Sequence, residues 1–333
     1  MSASKFDVAG IGNAIVDVIA RCDDAFLSNN GMEKGFMQLV TASQADDIYA
    51  AMGPAQEQSG GSAANTCAGI ASFGGTCAFI GRVATDQFGK VFAHDITSIG
   101  VAYDTVPSDA GLPTARCLIL VTPDGERTMN TFLGASTELG PEDVDGDIIA
   151  AARITYLEGY LFDRPEAKAA FHEAARLARA AGRKVALSLS DAFCVDRHRS
   201  DFLELVRGGV DILFANETEI TSLYELNSFE EAAGAVRAEA EIAALTRSEQ
   251  GSVVISGNET HEVPPDSVDR VVDATGAGDL YAAGFLTGLT RSLPLETCGR
   301  LGSLAAAEVI SHVGARPEKD LQKLVEDSQI LAR

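Results

Sequence analysis

Basic residues are scarce in this chain of 333 residues, which has 26 Lys and Arg against 48 Asp and Glu and a formal net charge of −22. Nucleic acids and anionic membrane surfaces are bound by clustered Lys and Arg, so the composition argues against both as partners. A negatively charged small ligand would need positive potential concentrated at its own site.

Cysteine motifs and targeting signals are also lacking. The six cysteines are scattered, with no CxxC pair and no Cys/His cluster at zinc spacing, which predicts free buried thiols in a reducing compartment, the cytoplasm. The N-terminal stretch "MSASKFDVAGIGNAIVDVIA" has no cationic region before a long apolar core and is interrupted by Asp7, Asn13 and Asp17. We therefore expect neither a signal peptide nor a membrane span.

No linker, repeat or low-complexity tract divides the chain, and 46% of its residues are hydrophobic, so we expect one domain over residues 1–333. After residue 150, strand-like "RITYLEG", "KVALSLS", "DILFAN" and "SVVIS" alternate with helix-like segments. This alternation predicts an α/β fold with a doubly wound, mostly parallel sheet and ligands at the carboxyl ends of its strands. Extended segments near 13–42 and 101–130, the second with a hairpin around Pro123-Asp124-Gly125, predict a small β-sheet lid.

The segment "VVDATGAGDLYAAGFLTGL", residues 271–289, places Gly276-Ala277-Gly278 between Asp273 and Asp279, just before an apolar helix. Glycines and an acid at a helix start are explained by an ordinary turn. The same arrangement fits an anion cradle, because helix-start N–H groups bind phosphate and glycines let it approach. Both interpretations remain open on this segment alone.

Other polar groups have two interpretations each. Asn13 and Asp17, in an otherwise apolar strand, either bond local backbone or bind ligand hydroxyls. The pair Gly60-Gly61 before a helix that carries Asn65 is either a turn or a hydroxyl-binding site.

Three further candidates come later in the chain. Asn216 and Glu219 form either a capping box or a site for hydrated Mg²⁺. Arg127, just past the hairpin turn, is either a solvated surface residue or a phosphate contact in the lid.

The segments "GNAIVD", "GGSAAN", "DGERT", "NETE" and "DATGAGD", in this order, resemble the ribokinase-like (PfkB) family of carbohydrate and nucleoside kinases. The family pattern is Asp-Thr-x-Gly-Ala-Gly-Asp, and Ala274 here replaces the usual Thr. The resemblance implies ATP and Mg²⁺ as cofactors, with Asp279 as catalytic base, Gly276, Ala277 and Gly278 as anion hole, and Arg127 adding positive charge. It implies that sugar hydroxyls are held by Asn13, Asp17, Gly60, Gly61 and Asn65. Asn216 and Glu219 would organise ATP phosphates and Mg²⁺, the metal through water, while Thr246, Gly251, Gly314 and Ala315 would border the ATP adenine.

Within the family, "GNAIVDV", "NETE" and "DGERTMNTFLGAS" are most similar to the adenosine kinase branch, which implies the 5′-hydroxyl of a purine nucleoside as acceptor. The alternatives are a free-sugar kinase acting on ribose, fructose or a keto-sugar acid, and a non-catalytic sugar- or nucleotide-binding protein. Candidates for the walls of a base slot are Phe36, Gln38, Leu133, Tyr160 and Phe162, although residues of these types more often serve in ordinary core or lid packing. We expect a monomer, or a homodimer through the lid.

Overall fold

The computed structural model describes residues 4–328 and 330–331, and in them two β-sheets are flanked by helices. The strands are β1 (Phe6–Ile11), β2 (Ile15–Arg21), β3 (Met37–Leu39), β4 (Ala55–Gly60), β5 (Cys77–Ile80), β6 (Ala115–Val121), β7 (Arg127–Phe132), β8 (Ala152–Glu158), β9 (Lys184–Ser188), β10 (Ile212–Asn216), β11 (Ile242–Thr246), β12 (Ser252–Ser256) and β13 (Glu259–Val263). The helices are α1 (Asp24–Asn29), α2 (Ala42–Ala51), α3 (Ser62–Ser72), α4 (Gln87–Ser98), α5 (Gly146–Ala151), α6 (Pro165–Ala180), α7 (Ala192–Gly209), α8 (Glu217–Tyr224), α9 (Phe229–Val236), α10 (Ala277–Thr290), α11 (Leu295–Val309) and α12 (Leu321–Ser328).

The larger sheet has the order β13-β12-β11-β10-β9-β8-β1-β5. Its strands from β11 to β5 in that order are parallel, which confirms the predicted doubly wound sheet. The expectation that "SVVIS" continues the parallel alternation is wrong, because β12 runs antiparallel to β11. The connection over residues 247–251 is too short for the crossover that a parallel pair requires.

Side chains of the parallel strands alternate between two apolar layers. In β1, Val8 packs in the layer that contains α3, α10 and α11, whereas Ala9 and Ile11 pack in the layer that contains α6, α7 and α8. Strands covered on both faces are therefore buried almost throughout, as β1 and β8 are.

The smaller sheet has the order β3-β7-β6-β2-β4. Its strands β6 and β7 form the antiparallel hairpin predicted around Pro123-Asp124-Gly125, with Gly125 at φ +90°. The segments 13–42 and 101–130 hold β2, β3, β6 and the start of β7, but they also hold α1, and β4 lies outside both. The polar sequence "AQEQSG" of β4 carries no strand signal; its pairing with β2 makes it a strand.

Small residues let α3, α10 and α11 approach one another closely. A Cβ added to Gly69 of α3 would lie 2.6 Å from Cβ of Ala283 in α10. A Cβ added to Gly284 would lie 2.3 Å from the Leu301 carbonyl oxygen of α11. These contacts fix where α10 begins, and that start carries the loop of interest.

We expect Gly284→Ala to destabilise the protein by about 1–3 kcal/mol, because the added methyl group has no room against α11. Gly234→Ala is the matched control, since Gly234 lies in α9 with no other heavy atom near the added Cβ, and it should stabilise by about 0.5–1 kcal/mol. Urea denaturation of both variants measures the two changes. Equal stability of the two variants would contradict the close packing of α10 on α11.

Candidate active site

The side chains that meet around the start of α10 come from distant parts of the chain. Asp279, in the first turn of α10, accepts hydrogen bonds from Ser62 Oγ at 2.6 Å and from Asn65 Nδ2 at 2.9 Å. Burial raises the pKa of the Asp279 carboxyl, and these two bonds oppose the rise. Asn65 Oδ1 is buried without a partner, so its amide holds Asp279 and keeps a free acceptor. Ser62 was not among the sequence candidates.

The loop before α10 forms an open cradle of backbone N–H groups. Gly276 has φ +80°, and a Cβ added there would lie 2.8 Å from Cα of Ala315, so only glycine fits. Gly278 has open space around its Cα, and no side chain caps α10. In the first turn, where helices leave donors unpaired, the Ala277 N–H donates to the Ala274 carbonyl at 3.2 Å, whereas the Gly278 N–H has no partner among the described residues. The arrangement can bind an anion between Gly278 and the Asp279 side chain.

Asp17 lies on β2, next to the glycine pair. A Cβ added to Gly60 would lie 2.4 Å from Asp17 Oδ2, and one added to Gly61 would lie 2.0 Å from the Asn13 carbonyl oxygen. Burial raises the pKa of Asp17 to about 6, while Arg127 and Arg316 act to lower it. Within the described part of the chain no hydrogen bond reaches the Asp17 carboxylate, which leaves both oxygens free for ligand hydroxyls.

Asn13 is engaged by the protein itself. Its Nδ2 donates to Glu158 Oε1 at 2.6 Å, and its Oδ1 accepts from Ser136 Oγ at 2.8 Å. Glu158 also accepts from the Ala63 N–H at 2.8 Å, and burial raises the pKa of Glu158 to about 7. Sequence reasoning missed Glu158, although an acid at the carboxyl end of the predicted strand "RITYLEG" is a usable signal.

Asn216 and Glu219 form the complete capping box. Asn216 Oδ1 accepts from the Glu219 N–H at 2.8 Å, and the Glu219 carboxylate accepts from the Asn216 N–H at 2.9 Å and from Asn216 Nδ2 at 2.6 Å. Burial raises the pKa of Glu219 to about 7. Thr246 pairs with Asn216 across adjacent strand ends, whereas Gly251, at φ +81°, packs closely against the Val263 carbonyl.

Arg127 is not the exposed lid residue that its position after the turn suggested. Its side chain is buried and forms an ion pair with Asp273, just ahead of the glycine loop. The same carboxylate accepts from the Gly314 N–H at 2.8 Å and from the Thr275 N–H at 3.0 Å. Arg127 thus joins the smaller sheet to the base of the cradle, and Gly314 and Ala315 lie beside it. Ala274, in the place of the family's Thr, is exposed.

The residues predicted to line a base slot lie in different parts of the structure. Phe162 is 1% exposed and stacks on Phe202 with ring centroids 4.0 Å apart, so it is a core residue and the prediction of a slot wall is wrong. Tyr160 is 45% exposed, and burial of the rest of its side chain together with the nearby Asp279 charge raises the Tyr160 pKa. Phe36 and Gln38 are exposed near the outer edge of the smaller sheet, where Gln38 Nε2 donates to Asn130. The Leu133 carbonyl lies 2.5 Å from Ser136 Oγ and competes with Asn13 Oδ1 for its single hydroxyl proton.

A cluster of apolar side chains lies beside Asp17 on the smaller sheet, which the sequence did not reveal. Cys117 and Ile119 of β6 pack with Ile19, Met129 and Val313, and Asp17 pairs in register with Cys117. We call these five apolar residues the apolar cleft face. Because β6 is apolar at nearly every position, its pattern could not show which side chains share a face with Asp17.

The raised pKa of Asp17 predicts a pH-dependent gain in stability for Asp17→Asn. An Asp carboxyl titrates near about 3.9 in an unfolded chain, so the folded protein binds the extra proton between about pH 4 and 6, and stability falls as pH rises through that window. We expect Asp17→Asn to be more stable than wild type by about 1–2 kcal/mol at pH 7.5 and nearly unchanged at pH 4. Denaturant titrations at both pH values measure this, and an equal change at both would contradict it.

The comparisons with known proteins agree with this geometry. The model of the pfkB family carbohydrate kinases matches residues 38–321. The crystal structure of adenosine kinase from Sinorhizobium meliloti is 54% identical, with a TM-score of 0.89 over 98% of this chain and 100% of that one. A probable sugar kinase from Rhizobium etli CFN 42 is 52% identical, with a TM-score of 0.90 over 98% and 99%. Adenosine kinase of Saccharomyces cerevisiae is 27% identical over 91% of this chain and 94% of its own.

No helix in the described residues is long and apolar enough to cross a membrane. These comparisons confirm the predicted fold. They also confirm the resemblance to the pfkB family, from which we expected kinase activity. The chain belongs to the pfkB family of carbohydrate kinases, and it is an ATP-dependent kinase that phosphorylates a hydroxyl group.

Proposed function

We propose that this kinase transfers the γ-phosphoryl group of ATP to the 5′-hydroxyl of adenosine or a closely related purine nucleoside. The observation that carries the proposal is the Asp17 carboxylate, which accepts no hydrogen bond in the described residues and lies beside the apolar cleft face. Ribose hydroxyls can bond to Asp17, while the flat purine packs on the neighbouring apolar side chains. A free sugar has no part that uses such a surface. Adenosine kinases from Sinorhizobium meliloti and Saccharomyces cerevisiae are among the similar proteins.

Asp279 would act as the general base. Its two oxygens are held by Ser62 and Asn65, which fixes the carboxylate beside the cradle at the start of α10. Burial raises its pKa, which makes it a better proton acceptor for a hydroxyl. The transferred phosphoryl group would lie against the Gly278 N–H, which has no partner among the described residues, because phosphoryl transfer depends mainly on positioning and charge stabilisation.

Mg²⁺ would be held near Glu219. The described residues contain no cluster of three or more His, Cys, Asp or Glu side chains that could hold a metal directly. The Glu219 carboxylate is 6% exposed and is bonded by neutral N–H groups of Asn216, so its buried charge lacks a cation. Water molecules of a hydrated Mg²⁺ would supply both donors and positive charge there, and the bound ion would neutralise phosphate charge. Thr246, Gly314 and Ala315 would border the ATP nucleotide.

A free-sugar kinase is the second candidate. It is favoured by the Rhizobium etli relative, which is called a probable sugar kinase, and by the polar network of Asn13, Glu158 and Ser136 behind the acceptor site.

All six cysteines are unpaired, which supports the cytoplasm as the location. A monomer or a homodimer through the smaller sheet stays a prediction.

Asp279→Asn should fold normally and lose turnover by about 10²–10⁴-fold, with less change in KM, because a positioned base is removed while the size is kept. The Asn oxygen can still accept from Asn65, and Ser62 Oγ can accept from the new amide. Steady-state rates of ADP formation measure the loss, and circular dichroism checks the fold. Wild-type turnover in a folded variant would rule out Asp279 as the base.

Adenosine should have a kcat/KM about tenfold to a hundredfold higher than ribose or fructose, because the purine buries apolar area that a free sugar does not. Initial rates with each acceptor at limiting concentration test this. The variant Met129→Gln, in the apolar cleft face, should narrow the preference by raising KM for adenosine. A sugar that outruns adenosine would move the protein to the sugar-kinase branch.

A further inference from the structure

Arg316 is a second arginine at the site, and neither the motifs nor the proposed roles above include it. It follows Gly314 and Ala315, and Ala315 packs on Gly276 at the base of the cradle. The chain at this point therefore runs directly beside the loop that starts α10. From there the Arg316 side chain extends across to the smaller sheet.

The Arg316 guanidinium is bonded only in part. Nη2 donates to the Ser59 carbonyl at 2.7 Å and to Ser59 Oγ at 2.9 Å, and Nε donates to the same carbonyl at 3.2 Å. Nη1 is buried and has no acceptor. Ser59 immediately precedes Gly60, whose Cα lies against the Asp17 carboxylate, so the guanidinium lies near the acceptor side of the site.

The charge of Arg316 is not neutralised by an ion pair in the residues that the structure describes. Arg127, the other cation near the loop, is paired with Asp273. Arg316 instead contacts Ser59, whose N–H and Oγ donate to the Asp95 carboxylate, and the carboxylates that influence it most, Asp95, Asp17 and Asp279, form no direct ion pair with it. Burial accordingly lowers the Arg316 pKa. A guanidinium stays protonated in proteins, so an unpaired buried one is costly until an anion arrives.

We propose, on the basis of the kinase function above, that Arg316 binds the transferred phosphoryl group and stabilises its charge during transfer. The free Nη1–H is the donor, and Ser59 holds the fork in place through Nη2 and Nε. The phosphoryl group would then lie between the N–H groups at the start of α10 and this guanidinium. In a protein with a formal net charge of −22, such a fixed cation supplies the local positive potential that the composition lacks.

Arg316→Gln tests the proposal, with Arg291→Gln as the matched control. Arg291, at the other end of α10, also donates to a backbone carbonyl, that of Phe73, so it reports the loss of a structural tie alone. Arg316→Gln should lower kcat by about 10²-fold with little change in KM for the acceptor, as expected for a donor that acts in the transition state. Arg316→Lys, which keeps the charge but not the fork, should lose less, and Arg291→Gln should keep wild-type kcat.

Inorganic phosphate is the second probe, because it needs no acceptor and no turnover. Calorimetric titration should show phosphate binding about tenfold or more weaker in Arg316→Gln than in wild type or Arg291→Gln. The phosphate titration still tests the proposal if wild type phosphorylates a sugar and not adenosine. If Arg316→Gln folds poorly, Arg316→Lys replaces it and should still bind phosphate more weakly than Arg291→Gln, because the fork is lost. Thus the proposed acceptor and the role of Arg316 can fail separately.

Two results would overturn the proposal. If Arg316→Gln lowers the midpoint of unfolding but keeps kcat and phosphate affinity, Arg316 only ties the C-terminal segment to the smaller sheet. A second result would be a higher KM for the acceptor with unchanged kcat, together with a shift of the acidic limb of the kcat/KM profile to higher pH. Arg316 would then act by lowering the Asp17 pKa and not on the phosphoryl group.

Discussion

The contact between the starts of α3 and α10 determines the rest of the site. Ser62 and Asn65 reach the Asp279 carboxylate because Gly69 and Ala283 let the two helices lie close together. The N–H groups in the first turns of the two helices nevertheless have different partners. The first turn of α3 is bonded by a protein carboxylate, since the Ala63 N–H donates to Glu158, and a negative charge there also complements the helix dipole. In the first turn of α10 no side chain caps the helix and the Gly278 N–H has no partner among the described residues, so this donor is left for a ligand.

Carboxylates dominate the surroundings of this open helix start. Burial raises the pKa values of Asp17, Glu158 and Glu219 to about 6, 7 and 7, and raises that of Asp279 as well. Each charged form is therefore costly in the protein alone, and a ligand that brings donors or a cation lowers that cost. Hydroxyls for Asp17 and a hydrated metal ion for Glu219 are ligands of that kind. Affinity for nucleoside and Mg²⁺ would come in part from relieving a cost that folding imposes.

The sequence predicted local features well and contacts between distant residues poorly. The parallel strands, the hairpin at Gly125 and the glycine loop before Asp279 are each encoded in a few consecutive residues, so pattern and resemblance were sufficient. Glu158, Ser62 and Arg316 were missed because their partners lie far along the chain, as with Ser62 and Asp279. Phe162 was wrongly predicted to line a base slot, because the local sequence is the same for an aromatic residue that faces a cleft and for one in the core. In the structure Phe162 stacks on Phe202 in the core. β12 was misread as parallel because strand direction depends on the connection rather than on the strand itself.

Two arginines join the smaller sheet to the body of the protein, by which we mean the larger sheet with its helices and loops. One arginine belongs to the smaller sheet and the other to the body. Arg127 belongs to the smaller sheet and pairs with Asp273 of the body, whereas Arg316 belongs to the body and bonds to Ser59 of the smaller sheet. Asp273 would not be left unbonded if Arg127 moved away, because the N–H groups of Gly314 and Thr275 also donate to it. Those two bonds hold the segments on either side of Gly276. The shape of the cradle is therefore set within the body, and a movement of the smaller sheet could release Arg127 without dismantling the site at which the phosphoryl group is proposed to bind.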